Sequence, residues 1–138
     1  AKRYTYLVLN SDVRDVFMSD RAWQYKYPLD VEKMQRGAAA FLGEHDFIGF
    51  AASGFTVSTT VRTIYALDVV REGDIIRIEV TGNGFLYNMV RIIAGTLVFC
   101  GVGKIDAGAM PEIIASCQRS RAGITAPACG LYLSEVFY

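Results

Sequence analysis

Arg91 is a permanently charged group set among apolar ones. Phe85, Leu86, Met89, Val90, Ile92, Ile93 and Leu97 surround it in the chain. Helical spacing puts Asn88, Arg91 and Gly95 on one face, with Tyr87 and Ala94 beside them. A buried guanidinium is costly unless paired. No Asp or Glu stands three or four residues away on either side. The partner therefore comes from elsewhere in the fold, from another chain or from a phosphate. The alternative is an amphipathic helix whose arginine snorkels to the edge.

Other residues invite chemistry less strongly. His45-Asp46 has the types for a metal site or a proton relay. It is the only histidine, however, and no Cys or second carboxylate stands at ligand spacing, so no metal is expected. A loop-capping or interdomain role suits it better. Arg3, Arg62, Arg119 and Arg121 are candidate phosphate contacts, or simply solvated surface. The turn Gly82-Asn83-Gly84 is a weak anion-site signal, since no third glycine or following lysine accompanies it.

Residues 82–97, GNGFLYNMVRIIAGTL, resemble the signature of the TruA-type tRNA pseudouridine synthases, in their C-terminal half. Four further pieces resemble that family in chain order. They are the opening Arg3-Tyr4-Thr5-Tyr6, Gly43-Glu44-His45-Asp46-Phe47, Val61-Arg62-Thr63-Ile64, and the closing Thr125-Ala126-Pro127 with Gly130-Leu131-Tyr132-Leu133. The resemblance implies that Arg91 pairs with a nucleophilic Asp. A carboxylate in an apolar pocket would otherwise protonate, and a guanidinium fork keeps it ionised and oriented. It also implies that Tyr4, rather than Tyr6, is the active-site tyrosine, stacking on a flipped base for about 1–3 kcal/mol. Leu131 is either pocket lining or core. The implied reaction isomerises uridine to pseudouridine in the tRNA anticodon stem-loop and needs no metal or organic cofactor. The family's nucleophile lies in an Arg-Thr-Asp segment that these 138 residues do not contain; here Arg62-Thr63 is followed by Ile64. Residues 1–138 are accordingly read as the C-terminal domain of a longer enzyme, inactive alone. The implied partners are tRNA, the N-terminal half of the same enzyme and a second copy in a homodimer.

Composition bounds these readings. A chain of 138 residues makes one domain with a real core. Its 52% apolar content fits a surface partly covered by another domain or subunit. Zero net charge provides no global attraction to nucleic acid, so any RNA contact is local. Three cysteines, Cys100, Cys117 and Cys129, lack paired spacing and fit a reducing cytoplasm. No apolar run is long enough to span a bilayer, and no secretory leader is visible.

The elements that would position the site follow from periodicity. Tyr4 to Leu9 alternates as a strand, apolar enough on both faces to be covered on both sides. Asn10 to Pro28 is irregular. Asp30 caps a helix that carries Val31, Met34, Ala38, Phe41 and Leu42 and stops at Gly43. Glu44 to Thr56 reads as a loop. Ser58–Val70 and Ile75–Val80 read as strands joined by Arg71-Glu72-Gly73-Asp74. The Arg91 helix runs from about Gly84 to Cys100 and ends at Gly101. A short helix at 111–117, a loop at 119–127 and a strand at 131–138 close the chain. This order predicts an α+β, split βαβ (ferredoxin-like) fold. It is a four-stranded antiparallel sheet with helices on one face, the predicted strands lying in the order 4-1-3-2. A stand-alone RNA-binding or dimerisation module of the same fold is the rival reading, with Tyr4 and Tyr6 on an open sheet face.

Overall fold

The computed structural model describes residues 1–138 apart from 14, 16, 19, 53–56 and 138. Four main strands form the predicted sheet: β1 (Lys2–Leu9), β4 (Val61–Glu72), β5 (Ile75–Gly82) and β6 (Leu131–Val136). Their order is β6-β1-β5-β4, every neighbour antiparallel, as the four-strand pattern requires. Two short strands extend it. β2 (Trp23–Gln24) runs parallel to the end of β1, and β3 (Gly43–Asp46) pairs antiparallel with Val61–Ile64 of β4. Both fall in stretches read from sequence as irregular or as loop. Two and four residues are too few to show a period.

Alternation fixes which side of the sheet is covered. Tyr6 and Val8 of β1, and Ile76, Ile78 and Val80 of β5, are buried beneath the helices. On the opposite face the cover expected for β1 is only partial among the described residues: Leu9 is buried, whereas Thr5 and Leu7 are half-buried. Thr5 bonds the Ser134 hydroxyl there, and Arg77 lies between Glu72 and Glu79. An RNA-binding module using Tyr4 and Tyr6 on an open sheet face is not what the fold presents, because Tyr6 is completely buried and Tyr4 packs against the core on the helix side.

Helix α1 (Val31–Ala39) begins where Asp30 accepts hydrogen bonds from the Glu32 and Lys33 amides. It ends three residues before the predicted stop. Phe41 and Leu42 lie in a turn after it, with Phe41 still fully buried, so burial continues the apolar pattern beyond the helix. Gly43 then opens β3 with φ +94°. β4 starts at Val61 rather than Ser58; just before it the Thr59 hydroxyl accepts locally from the Val61 amide.

Helix α2 (Met89–Val102) is the centre of the molecule, with all but three of its residues buried. It starts later than predicted, after Asn88 in a left-handed conformation. It runs through Gly101, which lies against Met34 of α1, and stops at Gly103, φ +89°. Helix α3 (Met110–Ser116) packs lower on the same side. A strap, residues 119–130, then crosses α2 before β6. Tyr6, Trp23, Tyr25 and Tyr27 form a chain of edge-to-face rings from the core to the surface, centroids 5.4–6.5 Å apart. The predicted loop at 53–56 and the strand end at Tyr138 lie outside the described residues.

Burial also gives the fold a pH dependence. It pushes the Cys100 thiol from its ordinary 9.0 up to about 11, with Asp106 adding to the effect. Burial likewise drives the Tyr6 phenol upward, Cys129 adding to the shift and Arg91 opposing it. The unfolded chain loses these protons first as pH rises. Stability is therefore full below about pH 9 and declines toward pH 11. Urea midpoints are expected to fall across that window, less steeply in Cys100→Ala; a flat profile would contradict the assignment.

Candidate active site

The strand-to-helix turn forms one wall of a pocket of about 270 Å³. Gly82-Asn83-Gly84 is held to β4 by a reciprocal pair: the Asn83 amide bonds the Thr63 carbonyl, and the Asn83 side chain accepts from the Thr63 amide. A tight structural turn accounts for these glycines. Past the turn, Phe85, Leu86 and Tyr87 swing toward β1, and Ala52 anchors the Tyr87 carbonyl. Tyr4, Phe85, Asn88, Arg91 and Leu131 line the cavity together. Of the predicted site residues, Tyr4, Arg91 and Leu131 are thus brought to one place. Tyr4 meets Phe85 edge-to-face at 5.3 Å, interplanar angle 89°. Tyr6 is in the core instead, its hydroxyl donating to the Pro127 carbonyl at 2.5 Å.

Arg91 is half-buried, and the fold supplies part of what the sequence left open. Its Nε donates to the Ala126 carbonyl at 2.7 Å, and Nη1 to Asn88 Oδ1 at 3.2 Å. The Ala126 amide returns a bond to the Arg91 carbonyl at 3.0 Å. No Asp or Glu pairs with Arg91 among the described residues. The snorkelling alternative does not describe this geometry, because the guanidinium is fixed by two acceptors at the pocket wall.

The small residues on the Arg91 face have a structural use. The strap lies directly on them. A Cβ on Gly95 would stand 1.9 Å from the Ile124 carbonyl oxygen, and one on Gly123 would stand 2.7 Å from the Thr96 backbone. The Thr96 hydroxyl donates to the Ile92 carbonyl and accepts from the Gly123 amide. Arg119 closes the strap on itself, donating to the Gly123 carbonyl and to the Thr125 hydroxyl. Sequence reasoning missed the strap and the Ala126 carbonyl. A backbone acceptor carries no side-chain signature, and only the Thr125-Ala126-Pro127 motif pointed to it.

The remaining candidates are engaged elsewhere. Arg3 points to the face opposite Tyr4, where it bonds Thr81 and Glu135 and lies over Phe137. Arg121 pairs with Glu112. Arg62 donates to the Thr59 and Val61 carbonyls and lies against Gly84, next to Phe85 of the pocket. His45 Nε2 lies 2.9 Å from the Leu42 carbonyl, its ring edge-on to Phe47. The Asp46 carboxylate accepts from Thr60 and Ile48. Both residues therefore serve the β3 loop.

A family model described as tRNA pseudouridine synthase matches residues 38–138, which include the α2 wall and the strap. The chain belongs to that family. Curated relatives named tRNA pseudouridine synthase A align across nearly the whole of this family member, including β1 and Tyr4. The protein of Acetivibrio thermocellus is 52% identical over 137 residues, 99% of this chain and 56% of its own length. That of Ruminiclostridium cellulolyticum is 51% identical over 138 residues with the same shares, and that of Geotalea daltonii 47% over 138 residues, 57% of its own length. The chain spans a little over half the length of these relatives. Among the described residues of this synthase-family chain, no helix is long and apolar enough to cross a membrane.

Proposed function

We propose that this chain is the C-terminal half of a cytoplasmic tRNA pseudouridine synthase. It supplies Arg91 and Tyr4 to an active site whose nucleophilic Asp comes from a segment outside these 138 residues. The observation carrying this reading is Arg91 itself. It lies on the wall of an apolar pocket, oriented by Asn88 and Ala126, with no acid of its own among the described residues. Such a guanidinium is prepared to receive a carboxylate and keep it ionised where desolvation would protonate it. Tyr4 and Leu131 form the walls that a uracil ring extruded from the tRNA anticodon stem-loop would enter. The uridine's carbon–nitrogen glycosidic bond breaks, the base turns, and a carbon–carbon bond replaces it. The base carbon gives up its proton as the freed ring nitrogen takes one up, so the product is an isomer of the substrate and no cofactor is consumed. Arg62, beside the pocket, is the best placed of the four surface arginines to meet a phosphate.

The edge strand β6 offers the seat for the remaining half. Its outer side is unpaired among the described residues. Leu133, Val136 and Phe137 are exposed along it, and Leu131 leads from it into the pocket. A unit added there would meet the pocket where Leu131 lines it beside Arg91. The same edge could instead take a second copy, giving a homodimer, which sedimentation of the chain measures. The catalytic test is reconstitution. The chain alone should release no tritium from tRNA labelled on the uridine carbon that forms the new bond. Mixed with the N-terminal half of the Acetivibrio thermocellus relative, it should release tritium steadily. Activity of the chain alone would refute the division of labour.

A further inference from the structure

We infer that Asn88 is a positioning residue for Arg91, an inference that rests on the proposed place of Arg91 beside the reacting acid. An asparagine at the start of a helix ordinarily turns its side-chain oxygen onto a backbone amide two or three residues on. Asn88 occupies that position of α2 and makes no such bond. Its backbone is left-handed, φ 60° and ψ 9°, which asparagine tolerates better than most residues. In this conformation Oδ1 accepts from Arg91 Nη1 at 3.2 Å. The acceptor that would cap the helix is directed to the guanidinium instead.

The two holds on Arg91 come from different elements. Asn88 grips Nη1 from the helix start, and Ala126 grips Nε from the strap. Two of the five N–H groups are thereby fixed, and three stay open. Two of those suffice for a bidentate carboxylate. Holding the fork in one orientation before the acid arrives removes an ordering cost from the reacting complex. The amide also has to be neutral. A carboxylate at the same 3.2 Å would form an ion pair within the chain and compete with the incoming acid for one guanidinium. Asparagine is the isostere that accepts a hydrogen bond without that competition.

Two measurements test this. Arginine side-chain nitrogen NMR of the 138-residue chain reads Arg91 without any reaction. Rotation about its Cζ–Nη bonds is expected to quicken about threefold or more in Asn88→Gly. Glycine suits the left-handed backbone, so the fold and its melting should be retained. In the reconstituted enzyme, Asn88→Gly should lower kcat about tenfold with KM changed less than about twofold. Asn88→Asp, although isosteric, should be slower still. A purely structural role would rank the aspartate variant nearer to wild type. Unchanged rotation in Asn88→Gly, or kcat within about twofold of wild type in either variant, overturns the inference. If Arg91→Ala itself keeps full turnover, the functional reading has failed, and the spectra still decide whether Asn88 holds Arg91.

Discussion

Replacing Arg91 by alanine in the reconstituted enzyme is expected to slow pseudouridine formation by about a hundredfold or more. Two losses combine in that figure. On the proposed reading, the incoming carboxylate would lose its counter-charge in a pocket lined by Phe85, Leu86, Met89 and Leu131, where desolvation favours the protonated acid. It also loses the fork that orients it for attack. Arg91→Lys separates the two, since an ammonium restores charge without the planar pair of donors. The lysine variant should recover only part of the rate. It should also lose the Nε bond to Ala126 that a guanidinium makes at 2.7 Å. Single-turnover tritium release, with tRNA in excess of its binding constant, measures the step directly. Near-normal turnover of Arg91→Ala would remove the site from this position in the fold.

The second large effect is expected at Gly95, through packing. An added methyl would stand 1.9 Å from the Ile124 carbonyl oxygen and 2.9 Å from its carbon. Both are backbone atoms of a strap tied down at Gly123, Ala126 and Pro127. No rotamer change relieves such an overlap, so helix or strap must shift. Overpacking of this kind costs about 1–3 kcal/mol, and each strap hydrogen bond lost adds about 1 kcal/mol. Gly95→Ala should therefore lower stability by about 3 kcal/mol and the melting temperature by on the order of 10 °C. Displacing the strap also withdraws the Ala126 carbonyl from Arg91, so activity at permissive temperature should fall as well. A melting curve within about 1 °C of wild type would show that the strap does not bear on α2 as described.

What could be read from the sequence follows from how each feature is encoded. The order β6-β1-β5-β4 was legible because Tyr4–Leu9 and Ile75–Val80 both read as strands and the split βαβ order allows few arrangements. Asp30 was legible as a helix cap because its side chain does the capping. The start of α2 was not, because Asn88 adopts a left-handed backbone that its residue type permits but does not require. Gly101 misled in the other direction: a glycine inside a helix for close packing against Met34 looks like a glycine that ends one. Tyr4, Arg91 and Leu131 were named together through the family resemblance, and the fold places them around one cavity. The residues that hold Arg91 were harder to foresee. Ala126 acts through its carbonyl, and 35 residues separate it from its partner.

The ring chain from Tyr6 outward has a practical consequence. Trp23, the single indole in the chain, stands between Tyr6 and Tyr25 at 6.5 and 5.4 Å. Light absorbed by Tyr6 should reach it by energy transfer, so that part of the tyrosine-excited tryptophan emission reports whether the segment before α1 is seated on β1. Because Tyr6 also holds the Pro127 carbonyl, that same signal is an optical gauge of the strap, readable in the native chain without any dye.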